Sequence, residues 1–467
     1  MRGFVRLIVL LGLALVFVAA AYALLVYQPP FAPIPQPQRQ SFDPALVARG
    51  AQLAAIGSCG VCHTAPSGRE FAGGLPLPTP FGTIYSTNIT PDHDTGIGAW
   101  SLAAFERALR RGVRRDDVYL YPAFPYDHFT LVSDDDAKAL YAFLMTREPV
   151  RATAPAPRLP FPLNHRLVMY GWNLLFLKPG PFKPDPAHDA IYNRGAYLAE
   201  GLGHCGSCHT PRNIFGAEKA DEKYSGGEAE GWSAYAINAS SPAPVPWTAA
   251  TLLQYLRHGF NSDHGVARGP MLDVAGNLGT APNDDLHALS TYIAAQIGTP
   301  AAPTPQVEQQ VAVQGARGKA VAAASADSQA VPAQGSGASD DGDEGALIYA
   351  ATCSGCHSGP RAAPFGGIDF ALSSNINGPS AKNLVNVVLN GLPATEGKRA
   401  PIMPGFANAM DDRQVAALAR YLRTRFTDKP AWTDIESSLT DARTALRASE
   451  GKPGRSSAAG STRPGTG

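Results

Sequence analysis

The sequence Gly203-His204-Cys205-Gly206-Ser207-Cys208-His209-Thr210 contains a Cys-x-x-Cys-His motif. This spacing is typical of c-type haem attachment, in which two thiols bond to the haem vinyl groups and the adjacent histidine binds the iron. The motif recurs as Cys59-Gly60-Val61-Cys62-His63 and as Cys353-Ser354-Gly355-Cys356-His357. The three copies use all six cysteines, so none remains for a structural disulfide or a separate thiol nucleophile.

Two other kinds of site also use paired cysteines. A redox dithiol needs no histidine after the second cysteine, and a structural zinc site needs four ligands in one place. Here a histidine follows at once in each copy, and the copies lie 146 and 148 residues apart. The pattern therefore favours three covalent haem c groups, with His63, His209 and His357 as iron ligands.

Length and charge limit the possible classes of protein. A chain of 467 residues is long enough for about three domains of ~150 residues, which agrees with three motifs. Its 39 basic and 39 acidic residues give zero net charge. Nothing in this balance indicates nucleic-acid binding.

The N-terminus combines a positive start with a long apolar run. Arg2 and Arg6 precede 21 uncharged residues, 7 to 27. As a helix the run would span about 31 Å, close to the ~30 Å hydrocarbon core of a bilayer. The arginines place the start in the cytoplasm and the rest outside. The alternative is a cleaved signal peptide ending near Ala21-Tyr22-Ala23. Either way we expect export to the periplasmic side of a bacterial inner membrane, where haem c is attached.

A similar helical frame surrounds each motif. A helix before each copy contains a glycine, and an amphipathic helix beginning at a polar cap closes each region. We expect Gly50, Gly195 and Gly345 to let an aromatic side chain of the closing helix pack closely where the two helices cross. The matching aromatic residues are Tyr141, Tyr292 and Tyr421.

A long loop signature adds to the haem motifs. It runs Pro80-Phe-Gly-Thr-Ile-Tyr-Ser-Thr-Asn88-Ile-Thr-Pro-Asp92 and continues with Thr95-Gly-Ile-Gly98 and Trp100-Ser101. From residue ~45 to ~427 the chain resembles the membrane-associated triple-haem cytochrome c subunits of bacterial periplasmic dehydrogenases. These include the subunits of quinohaem alcohol dehydrogenase, flavin-dependent gluconate dehydrogenase and molybdenum-dependent aldehyde or nicotinate dehydrogenases. The resemblance implies an all-α chain of three tandem class I cytochrome c domains behind one N-terminal transmembrane helix.

The resemblance also indicates the sixth iron ligands of two haems. Met403, in Ile402-Met403-Pro404-Gly405, matches the family's Met-Pro ligand loop before the last helix. Met271 follows His209 by 62 residues, where the family ligand falls. Methionine in this position raises the reduction potential. Met410, at the start of the last helix, is expected in the core or at the helix cap.

The first domain departs from this pattern. The family usually has Tyr-Pro-Ala-Met-Pro-Tyr, whereas this chain has Phe124 in the methionine position, 61 residues after His63. Phenylalanine cannot bind iron, so His128 is our candidate ligand. The alternatives are Met145 on the closing helix or an open position, with His128 an ordinary loop residue. The Phe-containing version resembles the partners of molybdenum hydroxylases more than those of alcohol dehydrogenase.

The amino-acid composition indicates where the domains and the segments between them begin and end. Residues 151–186 are proline-rich, but the apolar stretch 167–177 predicts a packed connector. Residues 299–343 lack aromatic side chains and predict a flexible linker that tethers the third domain. The expected segments are 1–28 anchor or signal, 43–150 domain 1, 151–186 connector, 187–298 domain 2, 299–343 linker, 344–427 domain 3 and 428–467 tail.

The expected function is electron transfer from a catalytic dehydrogenase subunit to ubiquinone or a terminal oxidase. The partner's cofactor would be molybdenum, with flavin or pyrroloquinoline quinone as alternatives. The chain itself is expected to relay electrons rather than convert a substrate. Two rivals remain at this point: a haem enzyme or gas-binding protein acting through an open first haem, and an independent multihaem carrier.

Overall fold

A computed structural model describes residues 27–299, 304–327, 340–357, 367–393 and 401–450, with a few positions between 3 and 17. The chain divides into two compact units. Unit 1 comprises Met1–Leu53 and Cys62–Phe182, and unit 2 comprises Ala54–Val61 and Lys183–Gly467. The second and third motifs therefore lie in the same compact unit.

The expected membrane anchor falls mostly on residues outside those that the structure describes. Within the described part, no helix has the length and apolar character needed to cross a bilayer. The segment 1–28 as an anchor therefore stays a prediction.

The fold is mainly helical. In chain order the α-helices are α1 (Pro44–Ile56), α2 (Cys59–His63), α3 (Leu102–Arg111), α4 (Tyr126–Phe129), α5 (Asp134–Met145), α6 (Val168–Phe176), α7 (Ala190–Tyr197), α8 (Gly206–His209), α9 (Ala249–His258), α10 (Pro270–Leu278), α11 (Asn283–Ile297), α12 (Pro305–Asp327), α13 (Asp340–Ile348), α14 (Ser354–His357), α15 (Ser374–Asn377), α16 (Lys382–Asn390), α17 (Asp412–Phe426) and α18 (Ile435–Glu450). In the described residues there are also three short antiparallel hairpins, which the all-α prediction did not include. They pair β1 (Pro76–Thr79) with β2 (Gly82–Tyr85), β3 (Gly227–Ala229) with β4 (Trp232–Ala234), and β5 (Phe260–Asn261) with β6 (Gly265–Val266).

The helix crossing predicted from glycine recurs three times. A Cβ atom on Gly195 of α7 would overlap the carbonyl oxygen of Ala288 on α11 and lie 2.7 Å from the Cβ of Tyr292. Gly345 of α13 stands in the same relation to Ala417 and Tyr421 of α17. Only a residue without a side chain permits so close an approach of two backbones.

In unit 1 the prediction of the aromatic partner is wrong. Gly50 of α1 packs against Ala139 and Phe143 of α5, so Phe143 takes the place expected for Tyr141. The other two crossings use an alanine and, four residues later, an aromatic, and Phe143 keeps that spacing. Tyr141 instead donates its hydroxyl to the carbonyl of Trp100, 2.7 Å away. It therefore anchors the loop before α3.

The connector helix α6 packs within unit 1. Met169 and Trp172 are buried, and the ring of Trp172 meets Tyr126 edge to face at 5.9 Å. The Tyr126 hydroxyl also donates a 2.6 Å hydrogen bond to the side-chain oxygen of Asn173. These contacts agree with the expectation that the stretch 167–177 is packed.

The expectation of a flexible linker at 299–343 is wrong for the part that the structure describes. Residues 305–327 form the helix α12, whose Arg317 binds the carboxylate of Asp428 at 2.5 Å. The segment lacks aromatics, but its alanines and glutamines favour helix and Pro305 occupies the first helical position. The expected tail also folds, because Trp432 and Ile435 join the third motif's core. Residues after 450 lie outside the described residues.

We predict that Gly195→Ala destabilises unit 2 by about 1–3 kcal/mol, because the added methyl group meets backbone that cannot move aside. The overlap outweighs the gain in helix propensity, which is at most ~1 kcal/mol. The midpoint of thermal unfolding, followed by circular dichroism on the haem-loaded chain, should fall.

Gly171→Ala is the matched control, because Gly171 also lies inside a helix but an added Cβ there meets nothing within 4 Å. This variant should unfold at or above the wild-type temperature. Equal midpoints for Gly195→Ala and wild type would contradict the close helix crossing.

Candidate functional site

Each of the three motif histidines makes the same kind of hydrogen bond. In each, the ring Nδ1 lies against a backbone carbonyl oxygen further along the chain. The pairs are His63 with Thr87 at 2.6 Å, His209 with Tyr235 at 2.6 Å and His357 with Ile368 at 2.9 Å.

This bond settles the chemistry of the imidazole. A carbonyl oxygen can only accept, so Nδ1 carries the proton and Nε2 keeps the lone pair that binds a metal. Burial lowers the pKa of each of these histidines, while the carbonyl bond partly opposes the change. Each ring is therefore a neutral imidazole with Nε2 ready as an iron ligand, which is what haem c requires.

The thiols of the second motif do not resemble a redox dithiol. Burial, with a smaller contribution from the Glu200 carboxylate, raises the pKa of Cys205 to about 12. Burial also raises the pKa of Cys208. Reactive dithiols have a depressed pKa and a stabilised thiolate. The structure thus counts against the redox alternative.

Short helical turns position these groups. The second motif follows a π-helical turn, Leu198–Leu202, and the third follows another, Tyr349–Cys353. Such turns are rare and often lie at functional sites. In each case the second cysteine and the histidine lie on one short α-helix, and the first cysteine immediately precedes it: Cys205 is the N-cap of α8, and Cys353 ends the π-helical turn before α14.

One cavity of unit 2 joins the second and third motifs. It has a volume of about 420 Å³ and a largely apolar wall. Its lining includes Cys205, Cys208, His209 and Met271 as well as Cys353, Cys356, His357 and Met403. An apolar cavity with paired thiols, a lone-pair nitrogen and a thioether fits haem c at both motifs.

The two predicted methionine ligands come from different local structures. Met271 lies in the first turn of α10, directly after Pro270. Met403 pairs with Leu392 through two backbone hydrogen bonds of 2.7 and 3.0 Å. Met410 is buried in the core around α17, as expected. The structure brings Met271 and Met403 to the shared cavity, and their role as iron ligands stays a prediction.

Tyr235 connects the second motif with the region that follows the third motif. Its carbonyl accepts the hydrogen bond from His209, while its hydroxyl donates to the side-chain oxygen of Asn375 at 3.0 Å. The ring packs against Gly378, where an added Cβ would lie 2.8 Å from it. The residue that orients the histidine of the second motif therefore also contacts the region of the third motif.

Further polar contacts dock the third motif's region on that of the second. Asn383 of α16 exchanges two 2.9 Å hydrogen bonds with the backbone of Ser233 in β4. Arg268, three residues before Met271, donates to the carbonyl of Gly391 at 2.7 Å. The region of the third motif is therefore docked on that of the second by direct contacts, which the sequence analysis did not predict.

In unit 1 the residues of the first site are less fully defined. His128 lies on the four-residue helix α4 and is 8% exposed. Phe124 packs against Phe129, with ring centroids 5.2 Å apart. Met145 is completely buried at the end of α5, among the core-facing positions of that helix. His128 as a ligand stays a prediction.

The residues that hold the three motif histidines were not predicted from the sequence. Thr87, Tyr235 and Ile368 act through backbone carbonyls, which every residue has, so no side-chain pattern reveals them. Asn88 and Thr90 of the loop signature bond each other and the segment after α5: the Asn88 oxygen accepts from the Thr90 hydroxyl, and the Asn88 amide donates to the carbonyl of Val150.

Known proteins of similar sequence include cytochrome c proteins. Residues 340–422 match the family described as cytochrome c oxidase, cbb3-type, subunit III. Over 440 residues, 92% of the chain, the sequence is 43% identical to a nicotinate dehydrogenase subunit of Pseudomonas putida. The chain spans only 34% of that relative's length.

Two other relatives are matched along most of their length. The gluconate 2-dehydrogenase cytochrome c subunit of Pantoea cypripedii is 37% identical over 81% of this chain and 85% of its own. The cytochrome c subunit of the quinone alcohol dehydrogenase of Gluconobacter oxydans is 33% identical over 87% of this chain and 84% of its own length. With the histidine sites described above, these matches lead to one conclusion: the chain belongs to the family of cytochrome c subunits of dehydrogenases.

Proposed function

We propose that this chain carries electrons from the cofactor of a catalytic dehydrogenase subunit to a membrane acceptor through three covalently bound haems c. The observation that carries the proposal is the repeated histidine geometry, in which Nδ1 donates to a carbonyl and Nε2 is left for iron. When bound, haem c supplies an iron that accepts and releases one electron at a time. The family relationship supports the same role.

The residues of the chain would attach the haems, orient the histidine ligands and supply the sixth ligands. Each cysteine pair anchors one haem, so the cofactor cannot dissociate. The carbonyl partners fix the histidine rings, and Met271 and Met403 would complete two iron sites and raise their potentials. His128 would take this place in the first site. The apolar cavity wall excludes water from the second and third sites.

The docking inside unit 2 supports direct electron exchange between the second and third sites. Both open into one cavity, and Tyr235 and Arg268 each bind across the two regions. A fixed, short separation favours rapid electron transfer, whereas a loose tether would not maintain one.

We favour a molybdenum hydroxylase as the catalytic partner. The similarity to the nicotinate dehydrogenase of Pseudomonas putida and the Phe124 version of the first ligand loop both point to this branch. Because the chain is also similar to subunits of gluconate and alcohol dehydrogenases, a flavin or pyrroloquinoline quinone enzyme is the alternative partner. We further propose ubiquinone or a terminal oxidase as the acceptor.

We propose a location at the bacterial inner membrane, with the haem regions facing the periplasm. The support is in the sequence: two arginines before 21 uncharged residues, followed by motifs whose haem is attached outside the cytoplasm. The length and apolar character of the run favour a retained anchor over a cleaved signal.

The partner can be tested by purification. Gentle solubilisation of membranes and capture through a C-terminal tag should recover a second subunit that contains molybdenum, in a fixed ratio to haem. Elemental analysis, flavin fluorescence and quinone extraction would identify the cofactor. Flavin or quinone in a fixed ratio to haem would support the electron-transfer role but would replace the molybdenum hydroxylase by a flavin or quinone enzyme as the partner. A chain that retains its haems but brings no cofactor-containing subunit would contradict the proposal.

The haem count can be tested by removing one cysteine pair at a time. The double variants Cys59→Ala/Cys62→Ala, Cys205→Ala/Cys208→Ala and Cys353→Ala/Cys356→Ala should each lose one haem of three, since both thiols are replaced. Intact-mass spectrometry of the purified chain measures this loss. A wild-type chain with two haems, or a double variant that still has all its haems, would be inconsistent with three attachment sites.

The sixth ligands can be tested by single substitutions. Met271→Leu and Met403→Leu should each lower the potential of one haem by on the order of 100 mV, well inside the ~0.8 V range that axial ligands span. His128→Ala should change the spectrum and potential of the first haem. Spectroscopic redox titration measures all three. Met410→Leu is the control, because Met410 is a core residue and its loss should leave the potentials unchanged.

A further inference from the structure

His264 is a buried histidine that the proposed electron path does not yet use. It lies in the turn between β5 and β6, seven residues before Met271. Its side chain is 6% exposed and lines the same cavity as Cys205, His209 and Met271. A histidine buried beside the second motif needs a physical explanation.

The ring of His264 is held in one orientation. It stacks on the indole of Trp247, with centroids 3.5 Å apart and planes inclined by 12°. Its backbone N–H also donates to the carbonyl of Asn261 at 3.3 Å. The stack fixes the plane of the imidazole, so its nitrogens point in defined directions at the edge of the ring.

One of those nitrogens lacks a partner. Within the described residues, Nδ1 of His264 is buried and makes no hydrogen bond. A buried polar atom without a partner loses its bonds to water and gains nothing in return, so native proteins rarely keep one. By contrast, the buried Asn88 and Thr90 of unit 1 bond each other. Because the side chain of His264 lines the cavity, a group that occupies the cavity is our candidate for the missing partner.

The chemistry of that group follows from the ring. Burial lowers the pKa of His264 to about 3, so the imidazole is neutral, with one N–H donor and one acceptor nitrogen. The haem that fits this cavity carries carboxylates only at its two propionates, and a carboxylate is the strongest acceptor for an N–H donor. The iron has a different candidate ligand in Met271.

We propose that His264 donates a hydrogen bond from Nδ1 to a propionate carboxylate of the haem at the second motif. The inference rests on the proposed attachment of haem there. His264 is then a positioning residue that fixes the haem edge and offsets part of the propionate charge. Trp247 supports it by holding the ring plane.

Three variants of the full-length holoprotein test this role. His264→Phe keeps a ring to stack on Trp247 but removes the donor. His264→Asn keeps an N–H donor close to the position of Nδ1. His188→Phe is the matched control, because His188 also stacks on an aromatic ring, Tyr192 at 3.7 Å, but is exposed on the surface.

The readouts are haem content by mass spectrometry, the far-red absorption band of methionine-bound ferric haem, and the potentials of the haems. We expect His264→Phe to keep all haems and the band, and to lower the potential of the second haem, since an uncompensated propionate stabilises ferric iron. The second haem is identified by its absence in the Cys205→Ala/Cys208→Ala variant. His264→Asn should restore the potential, and His188→Phe should leave it unchanged.

Several results would overturn the inference. Unchanged potentials in His264→Phe would exclude the hydrogen bond, and a change of iron ligand in that variant would make His264 a ligand instead of a donor. Loss of haem from both His264→Phe and His264→Asn would also contradict it, because asparagine supplies the donor. A wild-type chain without haem on Cys205 and Cys208 would overturn the proposed function together with this inference.

Discussion

The hydrogen bond from a histidine Nδ1 to a backbone carbonyl is the interaction on which each site depends. It appears at His63, His209 and His357, in three loops of different sequence. It selects the tautomer, fixes the ring and directs Nε2 away from the backbone. The helix crossings at the three glycines keep each motif's supporting helices together, and the loops then supply the carbonyls.

In unit 2 this local arrangement extends to a neighbouring site. The carbonyl of Tyr235 accepts a hydrogen bond from His209 and its hydroxyl donates one to Asn375, so the residue that orients His209 is itself held by the region of the third motif. Arg268 makes a second connection, close to Met271 on one side and to the Met403 loop on the other. The shared cavity follows from these contacts. For an electron carrier, such docking holds two redox centres at one distance.

Much of this could be predicted from the sequence, because the signals were local. Two thiols and a histidine at fixed spacing define covalent haem chemistry. Of the polar caps expected at the three closing helices, Ser133 and Asp411 are confirmed, whereas α11 begins after Pro282 without a side-chain cap. Other features were not accessible. The pairing of Ser233 with Asn383 joins residues 150 positions apart, and no local pattern encodes it. Residues 305–327 lack aromatics, yet their helix propensity and the Arg317 ion pair give them structure. Phe143, and not the expected Tyr141, packs against Gly50, because the aromatic residue at these helix crossings lies four positions after the alanine that contacts the glycine.

Direct electron exchange in unit 2 requires that the haems proposed at the second and third motifs lie close together. Electron paramagnetic resonance of the fully oxidised chain tests this most directly, with the Cys353→Ala/Cys356→Ala variant as reference. The account predicts that the signal of the second haem is broadened or split by its neighbour in the wild type and simplifies when the third haem is removed. A wild-type spectrum that equals the sum of independent haems, with the second signal unchanged in the variant, would contradict the shared site.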